Sequence, residues 1–316
     1  MLSLLLVAAA APAVARREVR WWMGSANLES NLGFIADHAD AITGLYTYVG
    51  AGVADDGSFA RPHNDSWFLD NLAPYYASNF TVTPAFALTD ESVLSGAALL
   101  SVDDVAAWAK SINVSGVMLD YEPDTSNATS EAVRNPRPAY DPPRPRGGVN
   151  ELSRRWVRAY AAYVAALTES MHAVGLRAEM CISDWGILDG HTVPEGYGAY
   201  AATGVDRMMS MAGTYFGTNL TRNEYNVDLE LSQGASLDQT AVGVGTMISE
   251  NCSTGPAKWD YNWTEAGLRD FVNFVEEKGI EHLDFWRADI DNEGDCTEAY
   301  YFDVAAEFLA GGLGDA

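Results

Sequence analysis

Basic side chains are scarce in this sequence. Its 316 residues include only 19 Lys and Arg against 44 Asp and Glu, which gives a formal net charge of −25 at pH 7. Proteins that bind nucleic acid need a basic face to displace counterions, and anionic membrane surfaces attract basic segments for the same reason. We therefore expect no nucleic-acid partner, and a neutral or cationic partner fits this charge better.

Cysteine and histidine are also few. Three cysteines do not suffice for a fold built on disulfides. Cys252 and Cys296 could form a disulfide if their loops are neighbours, and Cys181, inside an apolar segment, would then remain as a core residue. The five histidines are scattered and no CxxC or HExxH spacing occurs. We therefore expect no metal site.

Long apolar runs are absent except at the N terminus. Residues 1–15 are apolar and end in the small residues Ala13-Val14-Ala15, which is typical of a signal peptide and too short to span a bilayer. We expect a secreted protein without stable membrane insertion. Seven Asn-X-Ser/Thr triplets, the acceptors of N-linked glycans, agree with secretion; they begin at Asn64, Asn79, Asn113, Asn127, Asn219, Asn251 and Asn262.

Short apolar runs alternate with helical segments along the rest of the chain. Helical periodicity is present at 102–112, 150–174, 264–279 and 297–310. Eight such units predict an α/β fold, and we expect a single-domain (β/α)8 TIM barrel that comprises residues 16–316. The alternative, an open doubly wound sheet, is less favoured because no glycine-rich phosphate loop follows the first strand. The predicted strands are 19–24, 41–49, 81–88, 114–122, 176–183, 205–211, 240–247 and 281–288.

One segment interrupts this alternation. Residues 123–149 are rich in proline and arginine, so they cannot continue a helix. They predict a long loop insertion after the fourth strand, on the face where barrel enzymes carry their active sites. Either a mobile surface insertion or a loop that gates the substrate would fit this composition.

The fourth predicted strand carries two acidic residues at its end. Side chains alternate along a strand, so Met118, Asp120 and Glu122 share one face, and the residues between them suit packing against helices. Two carboxyls pointing into a barrel repel each other and lose solvent, so one of them should hold a proton near neutral pH. A protonated Glu beside an ionised Asp can help a glycosidic oxygen to leave.

The segment from Ser115 to Glu122, S-G-V-M-L-D-Y-E, resembles the fourth-strand motif D-G-x-x-x-D-x-E of the family 18 glycoside hydrolases, the chitinases and endo-β-N-acetylglucosaminidases. The resemblance implies that Glu122 is the catalytic acid/base and that Asp120 steadies the acetamido group of the substrate. The substrate would be a β-linked N-acetylglucosamine glycan such as chitin or an N-glycan core. Its own acetamide would replace an enzyme nucleophile, and no cofactor would be needed.

The same resemblance implies further substrate-binding residues. Trp286, in the eighth strand, would form the floor of a sugar subsite, and Asp206 and Met211 match the spacing of the sixth-strand motif. A tyrosine of that motif is replaced by Gly213, which leaves Tyr215 as the nearest phenol. Tyr46, Tyr48, Asp184 and Trp185 at predicted strand ends are further ligand-binding candidates, with turn formation or packing as the alternatives.

Met118 replaces an aspartate that many members of the family carry at this position. Burial beside Met118 would raise the pKa of Asp120 unless another donor compensates, and Asp284 is a candidate for the missing charge. Two alternatives therefore stay open. One is a catalytically weak or inactive chitinase-like lectin; the other is a barrel glycosidase of another family with Asp184 or Asp284 as nucleophile. We expect a monomer in each case.

Overall fold

Eight parallel strands close into a barrel in the computed structural model of the chain. Strand β1 (Glu18–Met23) pairs with β2 (Gly44–Val53) on one side and with β9 (His282–Ala288) on the other, which completes the ring. The remaining barrel strands are β4 (Thr81–Leu88), β5 (Gly116–Leu119), β6 (Arg177–Ile182), β7 (Arg207–Ser210) and β8 (Thr240–Gly245). The structure describes residues 17–23, 36–77, 80–123, 151–182, 196–211, 220–246, 263–288, 290–291, 294–295 and 297–311.

All eight predicted barrel strands are confirmed, with end positions that differ by a few residues. The β2 strand runs further than predicted because it continues into a hairpin with β3 (Phe59–Ala60), past an irregularity in its pairing with β4 between Tyr48 and Ala51. A second short hairpin joins β10 (Ile290–Asp291) and β11 (Gly294–Asp295). These additions lie outside the ring itself, so the single-domain (β/α)8 barrel stands as predicted.

Eight α-helices belong to the described part of the chain: α1 (Asp65–Ala77), α2 (Asp90–Ser95), α3 (Val102–Ser111), α4 (Glu151–Ala173), α5 (Gly196–Ala201), α6 (Leu220–Ser232), α7 (Glu265–Glu277) and α8 (Tyr300–Ala310). The four predicted helices are confirmed as α3, α4, α7 and α8, and Thr264 caps α7 by accepting a hydrogen bond from the backbone N–H of Gly267 (3.1 Å). The other four helices were not predicted, and the first of them, α1, contains Pro74, which interrupts helical patterns.

The apolar residues form two groups, one on each side of the barrel wall. Outward-facing strand residues pack against the helices. On α4 the buried residues form one stripe: Trp156, Tyr160, Tyr163, Leu167 and Met171. A smaller cluster fills the interior: Trp22, Tyr46, Ala85, Met118, Cys181, Met209, Met211 and Ala241, with Trp286 packed against it. The interior cluster forms the base on which the candidate site lies.

Ion pairs occupy the interior towards the amino ends of the strands. Arg20 on β1 donates to Glu179 on β6 and to Glu18 (2.8 Å), and Arg207 on β7 donates to Asp284 on β9 and to Glu18 (2.9 Å). Each charge of this network has a partner of opposite sign, which the low-polarity interior requires. This network joins strands that are distant in the sequence.

Three predictions concern residues that the structure does not describe. The signal peptide at 1–15, nearly all of the 123–149 loop and the Cys252–Cys296 pair lie outside the described residues. Among the described helices, none is long and apolar enough to cross a membrane.

Candidate active site

Strand β5 sets the position of the two candidate catalytic carboxyls. Its first residue is glycine because β6 lies very close: a Cβ at Gly116 would be 2.5 Å from the backbone oxygen of Arg177. The predicted alternation is confirmed, since Leu119 and Tyr121 pack outward among the helices while Met118 faces the interior. Tyr121 also donates a hydrogen bond to Asp90 (2.9 Å). These outward contacts anchor the strand on both sides of Asp120.

Asp120 continues the strand at the carboxyl end of the barrel. Its backbone N–H bonds to the carbonyl of Phe86 on β4 (3.0 Å), and its Oδ2 accepts a hydrogen bond from the hydroxyl of Tyr48 on β2. Its Oδ1 is inaccessible to solvent and has no hydrogen-bond partner among the described residues. Burial raises the pKa of Asp120, while Tyr48 and the thiol of Cys181 oppose the rise. The carboxylate therefore keeps one oxygen free for a further donor.

Glu122 lies two residues further, in the open part of the site. Partial burial raises the pKa of Glu122 to about 7, and the charge of the neighbouring Asp120 adds to this rise. Glu122 therefore holds its proton on the acid side of neutrality, and it remains exposed to solvent. The two carboxyls thus differ in role: one is exposed and protonated near neutral pH, and the other is enclosed and hydrogen-bonded.

Aromatic rings from three strands lie beside these carboxyls. The ring of Trp286 on β9 meets Trp22 on β1 edge-on (5.1 Å between centroids) and Tyr48 on β2 (5.9 Å). Trp22 and Tyr48 are also in contact (5.2 Å). Trp22 is buried, whereas Tyr48 keeps 45% of its surface exposed and Trp286 is half-buried. Trp22, Tyr48 and Trp286, which we call the aromatic cup, offer apolar ring surface next to Asp120.

Met118 and Cys181 lie directly below the carboxyls. The Cys181 thiol is 3.6 Å from the sulfur of Met118, and both side chains are fully buried. The residue is a free thiol in the core, as expected from the sequence. The hypothesis that Asp284 replaces the charge missing at Met118 is wrong. Asp284 does face the interior, but Arg207 binds it within the ion-pair network.

The structure brings together four of the residues predicted for this site: Glu122, Asp120, Tyr48 and Trp286. Tyr215 and Asp184 lie outside the described residues. Asp206 is not part of the site, because it accepts hydrogen bonds from the backbone N–H of Ala178 (2.8 Å) and from His172 (2.9 Å) at the start of β6. Met211, by contrast, does face the interior. Tyr46 is buried and hydrogen-bonded to Glu179 (2.9 Å), so it is not available at the mouth.

Sequence reasoning missed two contributors. Trp22 could have been found from the alternation in β1, because Arg20 faces the interior and Trp22 stands two residues later on the same face. Cys181 gave no signal beyond an apolar context. Its importance depends on the β5–β6 register, which pairs Leu119 with Met180 and so makes Asp120 and Cys181 the next neighbours. No cluster of His, Cys, Asp and Glu in the described parts of the chain has the composition of a metal site.

Comparison with known proteins gives a clear result for structure and none for sequence. No protein-family model matches the chain, and no curated protein does. A chitinase from Bacteroides thetaiotaomicron superposes with a TM-score of 0.65 at 11% identity, covering 96% of this chain and 99% of the other. A glycoside hydrolase family 18 N-acetylglucosaminidase from Paenibacillus barengoltzii gives 0.58 at 10% identity, with 92% and 99% covered.

A third solved structure carries a bound ligand. The family 18 chitinase from Cycas revoluta, in complex with allosamidin, superposes with a TM-score of 0.54 at 13% identity, covering 92% of this chain and 99% of the other. These similarities extend over nearly the whole chain and over the whole length of each neighbour. The chain therefore has the (β/α)8 fold of the solved family 18 chitinases, with a highly divergent sequence.

Proposed function

We propose that this protein is a retaining glycoside hydrolase that cleaves β-linked N-acetylglucosamine glycans. The observation that carries the proposal is the pair at the end of β5, where Glu122, with a pKa of about 7, stands beside the enclosed Asp120. The fold similarity to chitinases and to an N-acetylglucosaminidase supports the same substrate class. A general acid works best when its pKa lies near the working pH, and Glu122 meets that condition.

The chemistry follows from the two environments. Glu122 donates its proton to the glycosidic oxygen, so that the leaving sugar departs as a neutral alcohol. The acetamido oxygen of the substrate attacks the anomeric carbon from the other side and forms an oxazolinium ring. Asp120 accepts the acetamide N–H and stabilises the positive charge of that ring. Glu122 then takes a proton from the water that opens the ring, which restores the acid.

The aromatic cup would hold the sugar whose bond is cleaved. A pyranose ring has an apolar face, and aromatic rings bind such faces with little loss of conformational entropy. Trp286 and Tyr48 both present accessible ring surface next to Asp120. The acetamido group of a sugar stacked there would lie within reach of Asp120.

A mechanism with a protein nucleophile has less support. A retaining enzyme of that kind needs a second carboxylate at about 5–5.5 Å from the acid. Asp284 is held by Arg207 in the interior network and does not serve this role. Asp184, the other candidate, lies outside the described residues.

Hydrolysis of fluorogenic chitobiosides by the purified protein tests the proposal, with a thiazoline analogue of the cyclised acetamide as inhibitor. We expect turnover, competitive inhibition by the thiazoline, and a β-anomer as the first product by NMR. Turnover without thiazoline inhibition would point to a protein nucleophile. Saturable binding of the same sugars without turnover would mean that the protein is a lectin.

Secretion is the second part of the proposal. The apolar leader at 1–15 and the seven glycan acceptor triplets support it, and the two acceptors in the described parts of the chain, Asn64 and Asn113, are both exposed. N-terminal sequencing of protein recovered from the medium should begin near Arg16. Recovery of the chain only from the cell interior, with Met1 retained, would contradict this part.

A further inference from the structure

Asp120 occupies an environment that a carboxylate tolerates poorly. It stands directly above Met118, whose thioether cannot donate a hydrogen bond, and its Oδ1 is closed off from water. Only one described side chain, Tyr48, forms a hydrogen bond with the carboxylate by geometry, and it reaches Oδ2. An enclosed carboxylate with a single donor is expensive to keep ionised, since burial penalises the charged form.

Cys181 is placed to supply a second donor. The β5–β6 register makes it the neighbour of Asp120 across the two strands, and its side chain is fully buried below the aromatic cup. The thiol donates to the Met118 sulfur at 3.6 Å, which is a weak acceptor, and a turn about the Cβ–Sγ bond would direct its hydrogen to the carboxylate on the neighbouring strand. A carboxylate is by far the stronger acceptor of the two.

Burial, with the surrounding acidic groups, keeps this thiol protonated. Burial raises the pKa of Cys181 well above its usual value, and the nearby acidic groups add to this rise. A protonated thiol is a hydrogen-bond donor, and only its thiolate would be a nucleophile. The titratable groups that face Cys181 are Asp120 and Glu122 in the site, and Asp284 and Glu179 in the ion-pair network. Tyr48 is the other titratable group that acts on Asp120, through its hydrogen bond.

We propose that Cys181 is a positioning residue, whose thiol donates a hydrogen bond to Asp120 and holds that carboxylate ionised and oriented above Met118. The catalytic consequence rests on the proposed glycosidase function, but the hydrogen bond itself does not. Cys181 does not touch the substrate in this arrangement. It acts through Asp120, with Tyr48 holding the other side of the same carboxylate.

Replacement of the thiol tests this role. In Cys181→Ala, the pKa of Asp120 should rise by about one unit, so that kcat/KM on the acid side falls about tenfold while the rate at the pH optimum changes less. KM should stay the same, because no sugar contact is lost. Cys181→Ser keeps a donor and should restore the wild-type acid limb. Met209→Leu, in the same interior cluster but on the far side of Cys181, is the matched control.

A second readout does not depend on activity. Carboxyl 13C NMR of Asp-labelled protein follows the titration of Asp120, which is assigned by its loss in Asp120→Asn. The signal should titrate at higher pH in Cys181→Ala than in wild type and Cys181→Ser, and Cys181→Val replaces the alanine variant if the latter does not fold. Equal titration in folded wild-type, alanine and serine proteins would overturn the proposal. An inactive wild type that still shows the shift would refute the glycosidase function alone.

Discussion

Tyr48→Phe removes a single hydroxyl group from the candidate site, and we expect this small change to raise the pKa of Asp120 substantially. Tyr48 donates to Oδ2 of Asp120, whose other oxygen already has no hydrogen-bond partner among the described residues. A hydrogen bond to a charged group contributes roughly 1.5–3 kcal/mol, which corresponds to about one to two pKa units. The pKa of Asp120, already raised by burial, should rise further by that amount.

The ring itself is left in place by this substitution. Phenylalanine keeps the contacts of Tyr48 with Trp22 (5.2 Å) and Trp286 (5.9 Å), so the shape of the aromatic cup should not change. Because Asp120 in the variant stays protonated up to a higher pH, it places less negative charge beside Glu122, and the raised pKa of Glu122 should fall. The acid limb of the pH profile therefore moves to higher pH, and the basic limb moves to lower pH.

The assay is kcat/KM against pH for a fluorogenic chitobioside, with the two apparent pKa values fitted for wild type and variant. The expected result is a narrower bell and a tenfold to hundredfold loss on the acid limb, from a shift of about one to two units in the pKa of Asp120. Near-UV circular dichroism should confirm that the variant is folded. A folded variant with an unchanged profile would refute the assignment of Tyr48 as the group that holds Asp120.

Three further outcomes follow from the described contacts. The basic limb of the wild-type profile should have its midpoint near pH 7, because Glu122 loses its proton as the pH rises through its pKa of about 7; a flat profile to pH 9 would show that Glu122 is not the acid. Arg207→Met should lower the free energy of unfolding by about 3–5 kcal/mol in chemical denaturation, since it leaves Asp284 buried without its partner. Arg61→Met, which removes only an exposed ion pair with Asp65, should have almost no effect. Gly116→Ala should cost about 1–3 kcal/mol, because its Cβ would lie 2.5 Å from the Arg177 backbone oxygen; equal thermal stability of variant and wild type would contradict the close approach of β5 and β6.

Much of the fold could be predicted because local patterns decide it. Each barrel strand is a short apolar run, and Thr264 and Gly279 mark the limits of α7 with a capping hydrogen bond and a φ of +77°. Helix α1 escaped prediction because Pro74 lies within it, at a position where tertiary packing overrides the local preference.

The site could be predicted only where one strand contains it. Asp120 and Glu122 follow from the alternation within β5, whereas Trp286 was implied by the family resemblance and Tyr48 only by its place at a predicted strand end. The contacts of Asp120 with Tyr48 and Cys181 join β5 to β2 and β6, and they depend on a register that the sequence does not specify. The same reason explains the error over Asp284, since its partner Arg207 lies on another strand 77 residues away.

The most direct test of the central claim is the turnover of chito-oligosaccharides by Glu122→Gln beside wild type. Glutamine keeps the size of the side chain and cannot donate a proton as an acid. We expect kcat to fall by about 10²–10⁴-fold, the usual contribution of a general acid, while binding of the oligosaccharide measured by calorimetry is retained. Glu169→Gln, at an exposed position on α4, serves as the control and should match wild type. Wild-type turnover that persists undiminished in Glu122→Gln would contradict the account.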